Sequence, residues 1–374
     1  MIRLYPKLIT EALEKVRYPG TGKNLVEMGM VEDDIRIEDN KVSFSILFEK
    51  PNDPFIKSIV KAAETAILTY IDEGIDIKGN IRVKTKPAPP IEEPPRLLPD
   101  VKNIIAITSG KGGVGKSTVA ANLAVALAKS GYKVGLLDAD IFGPSIPKMF
   151  DEEEARPVLE RIEDKDRIIP VRKYGVEILS IGFFVNKSDA LVWRGTMASN
   201  ALKQLITDAY WGELDYFLID LPPGTSDIHL TLVQTLAVTG VIVVTTPQEV
   251  ALADARKGVD MFTGEKINVP VLGLVENMAW FTPAELPQNK YYLFGREGGK
   301  RLAEELHIPL LGQIPIVQSI CEGGDRGKPV ALNENSITGL AFQNLARQTV
   351  EQVNYRNEHL EATKPVSVGN KFKH

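Results

Sequence analysis

The stretch SGKGGVGKST, from Ser109 to Thr118, gathers glycines, a lysine and hydroxyls at the spacing of a phosphate-binding loop, with GxxxxGK[ST] satisfied from Gly110 to Ser117. The chemistry this predicts is capture of a nucleoside triphosphate. Gly110, Gly112, Gly113 and Gly115, with Val114 among them, let the backbone curl so that successive N–H groups face phosphate oxygens. The start of the following helix adds favourable partial charge. Lys116 is expected to reach the β- and γ-phosphates, Ser117 to ligate Mg²⁺, and Thr118 to donate to an α-phosphate oxygen. The alternative is a glycine-rich turn carrying a solvated lysine.

Acidic residues follow where such a site needs them. Asp138 and Asp140 close VGLLDAD, and Asp220 closes YFLID ahead of LPPGTSD. Ligands of open α/β sheets collect at the C-terminal ends of strands, and a turn rich in proline and glycine suits a segment that senses a γ-phosphate. An Asp after a buried strand also serves as a plain helix cap, and that reading stays open for Asp140 and Asp220. His229, His307, His359 and His374 show no metal-site spacing and read as surface or capping positions. Cys321 is the single cysteine, read as present for packing or by chance, so one subunit can form neither an internal disulfide nor a multi-thiolate site.

The elements that must position these residues are visible as alternating patterns. Strands are expected at Ile104 to Thr108, Lys133 to Leu137, Val176 to Ile181, Tyr216 to Ile219, Val241 to Thr245 and Val271 to Val275, with helices between them. This is the pattern of a doubly wound, mostly parallel sheet of α/β class, spanning 101–360. Residues 86–100, KPAPPIEEPPRLLPD, hold six prolines and read as a stiff linker. Before it, 1–85 reads as a small α/β (α+β) domain with helices at Leu8 to Val16 and Pro54 to Ile71. Its strands are expected at Asp34 to Glu38, Lys41 to Phe48 and Ile81 to Lys84. Phe55, Ile59, Ala62, Ala66 and Tyr70 form an expected apolar stripe on the second helix. The end of the chain, 361–374, is polar from Thr363 onward and reads as a flexible tail.

Bulk properties remove other classes. The 374 residues are 44% hydrophobic and 25% charged, with a net charge of -5. That composition suits a globular protein and gives no electrostatic reason to expect nucleic acid as partner. No apolar run reaches the roughly 18 residues that a bilayer requires, and Met1 to Tyr18 mixes charges unlike a signal peptide. A cytoplasmic location without membrane association is the expectation.

Taken together, GKGGVGKST, LLDADIFGPS, WRG, DLPPGTSD, TTPQEVALADARKG and VENM resemble the motifs of Mrp/ApbC-type ATPases, deviant P-loop proteins related to MinD and the nitrogenase iron protein. The resemblance extends to the small N-terminal region, which looks like the iron–sulfur-assembly domain fused to many bacterial members. It implies ATP and Mg²⁺ as ligands, hydrolysis of the β–γ phosphoanhydride and a homodimer. Lys111 would be the signature lysine that reaches the partner's ATP, Asp140 would orient the attacking water, Asp220 would hold Mg²⁺ through a water, and Asn277 would read the adenine ring. A turn-forming role is the alternative for Asn277.

The sequence departs from that family at one point. Its members usually carry CxxC after the motif matching VENM, so that two subunits bridge a [4Fe–4S] cluster; here NMAWFTPAELPQNKYYLFG follows, with no cysteine from Asn277 to Gly295. Glu285, Gln288 and Asn289 offer hard oxygens in place of soft sulfur. In the N-terminal region KPNDPF stands where relatives carry a reactive cysteine, and Asp53 cannot do thiolate chemistry. No cluster ligands are identifiable, and a cluster is implied by family alone. The leading functional expectation is an ATPase of iron–sulfur cluster assembly or delivery to apoproteins. Alternatives are an ATP-switched scaffold that holds no cluster, and a MinD/ParA-like positioning ATPase.

Overall fold

The structure is a computed structural model that describes residues 4–50, 53–86, 97–141, 143–184, 195–283, 285–286 and 288–366. It divides into two compact units, Met1–Pro94 and Pro95–His374. Most of the proline-rich segment and the Trp193 and Arg194 of the WRG motif lie outside the described residues.

The first unit contains α1 (Pro6–Leu13), β1 (Arg36–Glu38), β2 (Lys41–Phe48), α2 (Ile56–Tyr70) and β3 (Ile81–Thr85), with strand order β1-β2-β3. β1 pairs antiparallel with β2, and β2 runs parallel to β3. The period-2 alternation in β2 does what it predicts, since Val42, Phe44, Ile46 and Phe48 are all buried. Full burial of such side chains contributes about 1.5–3 kcal/mol each. On α2 the buried stripe is Ile59, Ala63, Ala66 and Ile67, whereas Phe55 and Tyr70 are exposed. Ile59 and Ala66 of the expected stripe are buried and Ala62 is half-buried, but its two ends are not: Phe55 precedes the helix as its N-cap, and Tyr70 is its last residue.

The second unit is built on an eight-stranded sheet. Its elements are β4 (Val101–Thr108), α3 (Lys116–Lys129), β5 (Val134–Asp138), α4 (Ile146–Met149), a β6–β7 hairpin (Leu159–Ile162, Lys165–Ile168), β8 (Val171–Lys173), β9 (Val176–Ser180), α5 (Gly195–Thr207), β10 (Leu214–Asp220), α6 (Asp227–Thr235), β11 (Gly240–Thr245), α7 (Glu249–Thr263), β12 (Val271–Phe281), α8 (Gly298–Glu305), β13 (Leu310–Ile316), α9 (Gln318–Asp325) and α10 (Ile337–His359). The order is β13-β12-β11-β4-β10-β5-β9-β8, parallel throughout except where edge strand β8 meets β9. β5 and β11 are buried at every position, which is why they read as unbroken apolar runs. α3 is alanine-rich and buried over nearly its whole length, so alanine supplies both helix propensity and close approach to the sheet.

The structure extends and corrects the sequence reading. β13 and β8 add to the sheet, and the β6–β7 hairpin lies beside it. β12 continues to Phe281, so Asn277 sits within a strand and not after one. The stretch read as a flexible tail is fastened as far as Val366, whose N–H donates to the Val233 carbonyl at 2.8 Å.

Candidate functional site

β4, β5 and β10 end side by side, and their C-terminal ends define the site. Parallel registers pair Asp220 with Ile107 and with Asp138, so the phosphate-loop strand and both carboxylates share one edge. After β4 the loop curls through Gly113 and Gly115, both with φ near +80°, and Gly115 is the left-handed N-cap of α3. Side chains would strain that path. Gly110 answers a different constraint: a Cβ there would lie 2.1 Å from the backbone carbonyl carbon of Asp254 on α7.

The loop borders a cleft of about 230 Å³ lined by Gly112, Gly113, Gly115, Ser117, Thr118 and Asp140, among others. Lys116 is buried, and its Nζ lies 2.5 Å from Asp220 Oδ1 and 3.3 Å from Ser117 Oγ. Asp220 is fully buried, and its Oδ2 has no hydrogen-bond partner among the described residues. A buried, unsatisfied carboxylate oxygen is costly unless something cationic or protic is meant to meet it. The solvated-lysine and plain-cap alternatives therefore do not describe Lys116 and Asp220. Asp140 is half-buried at the cleft wall. Lys111 is half-buried, and its carbonyl accepts the Ser109 hydroxyl at 2.9 Å.

Asn277 is buried on β12, and its Nδ2 donates to the Val114 carbonyl at 2.8 Å. It is therefore tied to the phosphate loop and not to a turn. It also lines a second cavity, of about 650 Å³, that shares Gly115, Thr118, Ser145 and Met149 with the first and is otherwise walled mainly by Met278, Phe294, Ile316 and Ile320. A mostly apolar chamber beside a phosphate cradle has the chemistry to hold a flat heterocycle.

Three residues support the site in ways the sequence did not show. Asp138 is fully buried: its Oδ1 accepts Asp140 N–H at 3.1 Å, and its Oδ2 accepts Ile146 N–H at 3.2 Å and the Ser180 hydroxyl at 3.0 Å. It pins both ends of the Asp140 loop. Burial first, then the nearby Asp220, raises its pKa well above the ordinary carboxylate range. Glu276 is buried and caps α8 by accepting from Gly299 and Lys300 N–H groups. His229, expected at the surface or in a cap, is in a cap but fully buried; Nδ1 faces Ser226 and Nε2 faces Thr108 Oγ1 at 3.3 Å. The sequence marked Asp138 by its place at the end of a strand, Glu276 by its motif and His229 as a cap, but not the contacts through which they act.

Residues 100–350 match the family model described as the NUBPL iron-transfer P-loop NTPase. The chain belongs to this family. Residues 7–76 match a second model, the iron–sulfur cluster assembly protein. An iron–sulfur cluster carrier protein of Synechocystis is 40% identical over 352 residues, covering 92% of this chain and 97% of that one. Its counterpart in Aquifex aeolicus is 42% identical over 360 residues, covering 91% and 96%. Among solved structures, a nucleotide-binding protein from Archaeoglobus fulgidus in complex with ADP is 38% identical with a TM-score of 0.54, covering 62% of this chain and 89% of that one. MinD of Pyrococcus horikoshii, complexed with Mg-ADP, is 25% identical with a TM-score of 0.51, covering 68% and 98%.

This family P-loop NTPase has a single thiol. Cys321 is exposed on α9 and lines the larger cavity, which removes packing from the two expected accounts of it. In the N-terminal unit Asp53 accepts the Tyr18 hydroxyl at 2.5 Å and Phe55 N–H at 2.8 Å, and that bond pushes the Tyr18 pKa up to about 12. Among the described residues no group of three or more His, Cys, Asp or Glu is arranged to hold a metal ion, and no helix is long and apolar enough to cross a membrane.

Proposed function

We propose that this chain binds ATP with Mg²⁺, hydrolyses the β–γ bond, and as a homodimer uses that cycle in the assembly or delivery of iron–sulfur clusters to apoproteins. The observation carrying the nucleotide reading is the buried Lys116–Asp220 pair beneath a curled run of N–H groups, with Asp220 Oδ2 left without a partner among the described residues.

The loop N–H groups and Lys116 would take the phosphate oxygens, with the triphosphate competing against Asp220 for the ammonium. That exchange frees Asp220 Oδ1 beside the already unsatisfied Oδ2. Ser117 Oγ and Asp220 would hold Mg²⁺, which supplies charge neutralisation across the β- and γ-phosphate oxygens. Asp140, held by the anchored loop, would orient the attacking water. Lys111 of one subunit would set its charge against the partner's γ-phosphate as the transition state becomes more negative. Asn277, fixed to Val114, would meet the adenine edge in the adjoining chamber, and Thr118 would donate to the α-phosphate.

Titration calorimetry with Mg-ATP tests the binding, and phosphate release tests the hydrolysis. Lys116→Ala is expected to lose binding by at least about a hundredfold, while Lys111→Ala keeps binding and loses turnover. Equal hydrolysis by wild type and Lys111→Ala would remove the trans-acting lysine.

The cluster part rests on the matched families and on the names of the relatives. A specific observation shapes it: the sequence holds one cysteine and none between Asn277 and Gly295. This favours a second form of the proposal, an ATP-switched scaffold that engages assembly partners and clients without gripping the cluster through four thiolates. Anaerobic reconstitution with iron counting separates the two. Retention of about four irons per dimer supports carriage, and ATP-dependent co-purification of assembly partners with metal-free protein supports the scaffold.

A further inference from the structure

We propose that His229 is a positioning residue that fastens the turn from Leu221 to Ser226 onto the phosphate-loop strand. The turn begins immediately after Asp220, and Pro223 within it lines the phosphate cleft. Two main-chain bonds already hold it: Leu221 N–H to the Ile107 carbonyl at 3.0 Å and Gly224 N–H to the Ser109 carbonyl at 2.8 Å. His229 supplies the side-chain link. It closes a capping box at the start of α6, with Ser226 N–H donating to Nδ1 at 3.1 Å. A nitrogen that accepts a backbone N–H carries no proton, so the hydrogen sits on Nε2 and is donated to Thr108 Oγ1 at 3.3 Å. Thr108 is the last residue of β4, two before Gly110.

One neutral ring thus bridges the far end of the turn and the strand that launches the loop. Burial first, and then the charge of Lys116, hold its pKa down at about 4, so the bridging tautomer is kept. Ring and threonine are both buried, and removing the imidazole leaves Ser226 N–H and the Thr108 hydroxyl without this partner. Glutamine has the right replacement chemistry: its amide oxygen accepts from Ser226 and its NH₂ donates to Thr108.

The kinetic part of this inference rests on the ATPase reading above; a structural readout does not. In the nucleotide-free chain, His229→Leu is expected to raise amide exchange about tenfold in 221–228 and leave the rest unchanged. With Mg-ATP it should lower kcat about tenfold with KM within about twofold, and His229→Gln should recover most of the loss. Thr108→Val cuts the same bond from the other end and guards against a leucine variant that fails to fold. Its kcat should fall similarly, and the double variant should add nothing. Wild-type exchange in 221–228 for both variants would overturn the inference. So would an equal rise in KM and fall in kcat without rescue by glutamine, which marks a packing role. A wild type that binds Mg-ATP without turning it over would sink the hydrolysis reading instead and leave the exchange result to decide the bridge.

Discussion

At the scale of single residues, charge is spent where burial makes it expensive. Lys116, Asp220 and Asp138 are all removed from water, and each is tolerable only because the others, or main-chain N–H groups, face it. His229 gives this arrangement a pH signature. Its folded pKa is about 4 against an ordinary value of 6.5, so between those values the unfolded chain holds more protons. Stability therefore rises with pH across that window and is lost as pH falls through it, by up to about 3 kcal/mol. Asp138 acts with opposite sign, because a raised folded pKa means that stability falls as pH climbs above the usual carboxylate range. Comparing His229→Gln with wild type isolates the imidazole. The wild-type advantage in unfolding free energy should narrow by ~3 kcal/mol between pH 6.5 and pH 4, and a constant difference would contradict the assignment.

At the scale of elements, the loop depends on its neighbours having no room to spare. Gly110 lies against the backbone of α7, and Gly115 faces the Asn277 amide, where a Cβ would come within 2.3 Å of Nδ2. Gly110→Ala must push α7 off the loop, since main chain cannot rotate away as a side chain can; a loss of about 2–4 kcal/mol in thermal or denaturant unfolding is expected. Gly115→Ala adds strain at positive φ and should weaken nucleotide binding more than stability. Much of this frame was legible in the sequence, because strands buried on both faces must be apolar throughout and the loop motif sits between such a strand and a helix. β13 escaped notice because Gly312, Gln313 and Pro315 interrupt its run, and β6 to β8 because polar, largely exposed residues build them. Asn277 was legible as a site residue, but its place inside β12 was not. The polar pair Glu276 and Asn277 interrupts the apolar run and conceals a strand that continues through Met278, at positive φ, to Phe281. His229 was legible as a capping residue because Ser226 stands three positions before it, but its bond to Thr108, like those of Glu276 to α8, joins residues distant in sequence, and local patterning carries no trace of that.

At the scale of the whole molecule, the two units have separate apolar cores. Residues 97–374 expressed alone should therefore fold and bind Mg-ATP within about twofold of the full chain, and 1–86 alone should melt cooperatively. Loss of nucleotide affinity in the shorter piece would tie the first unit to the site. Light scattering with Mg-ATP should give twice the 41.2 kDa chain mass for the homodimer reading. The exposed Cys321 has a practical corollary at this scale. Being alone in the sequence and set in the wall of the chamber beside Thr118 and Asn277, it lets a maleimide dye report occupancy of that chamber in the unmutated protein. Labelling should slow when the chamber is filled, turning a lone thiol into a ready-made optical gauge.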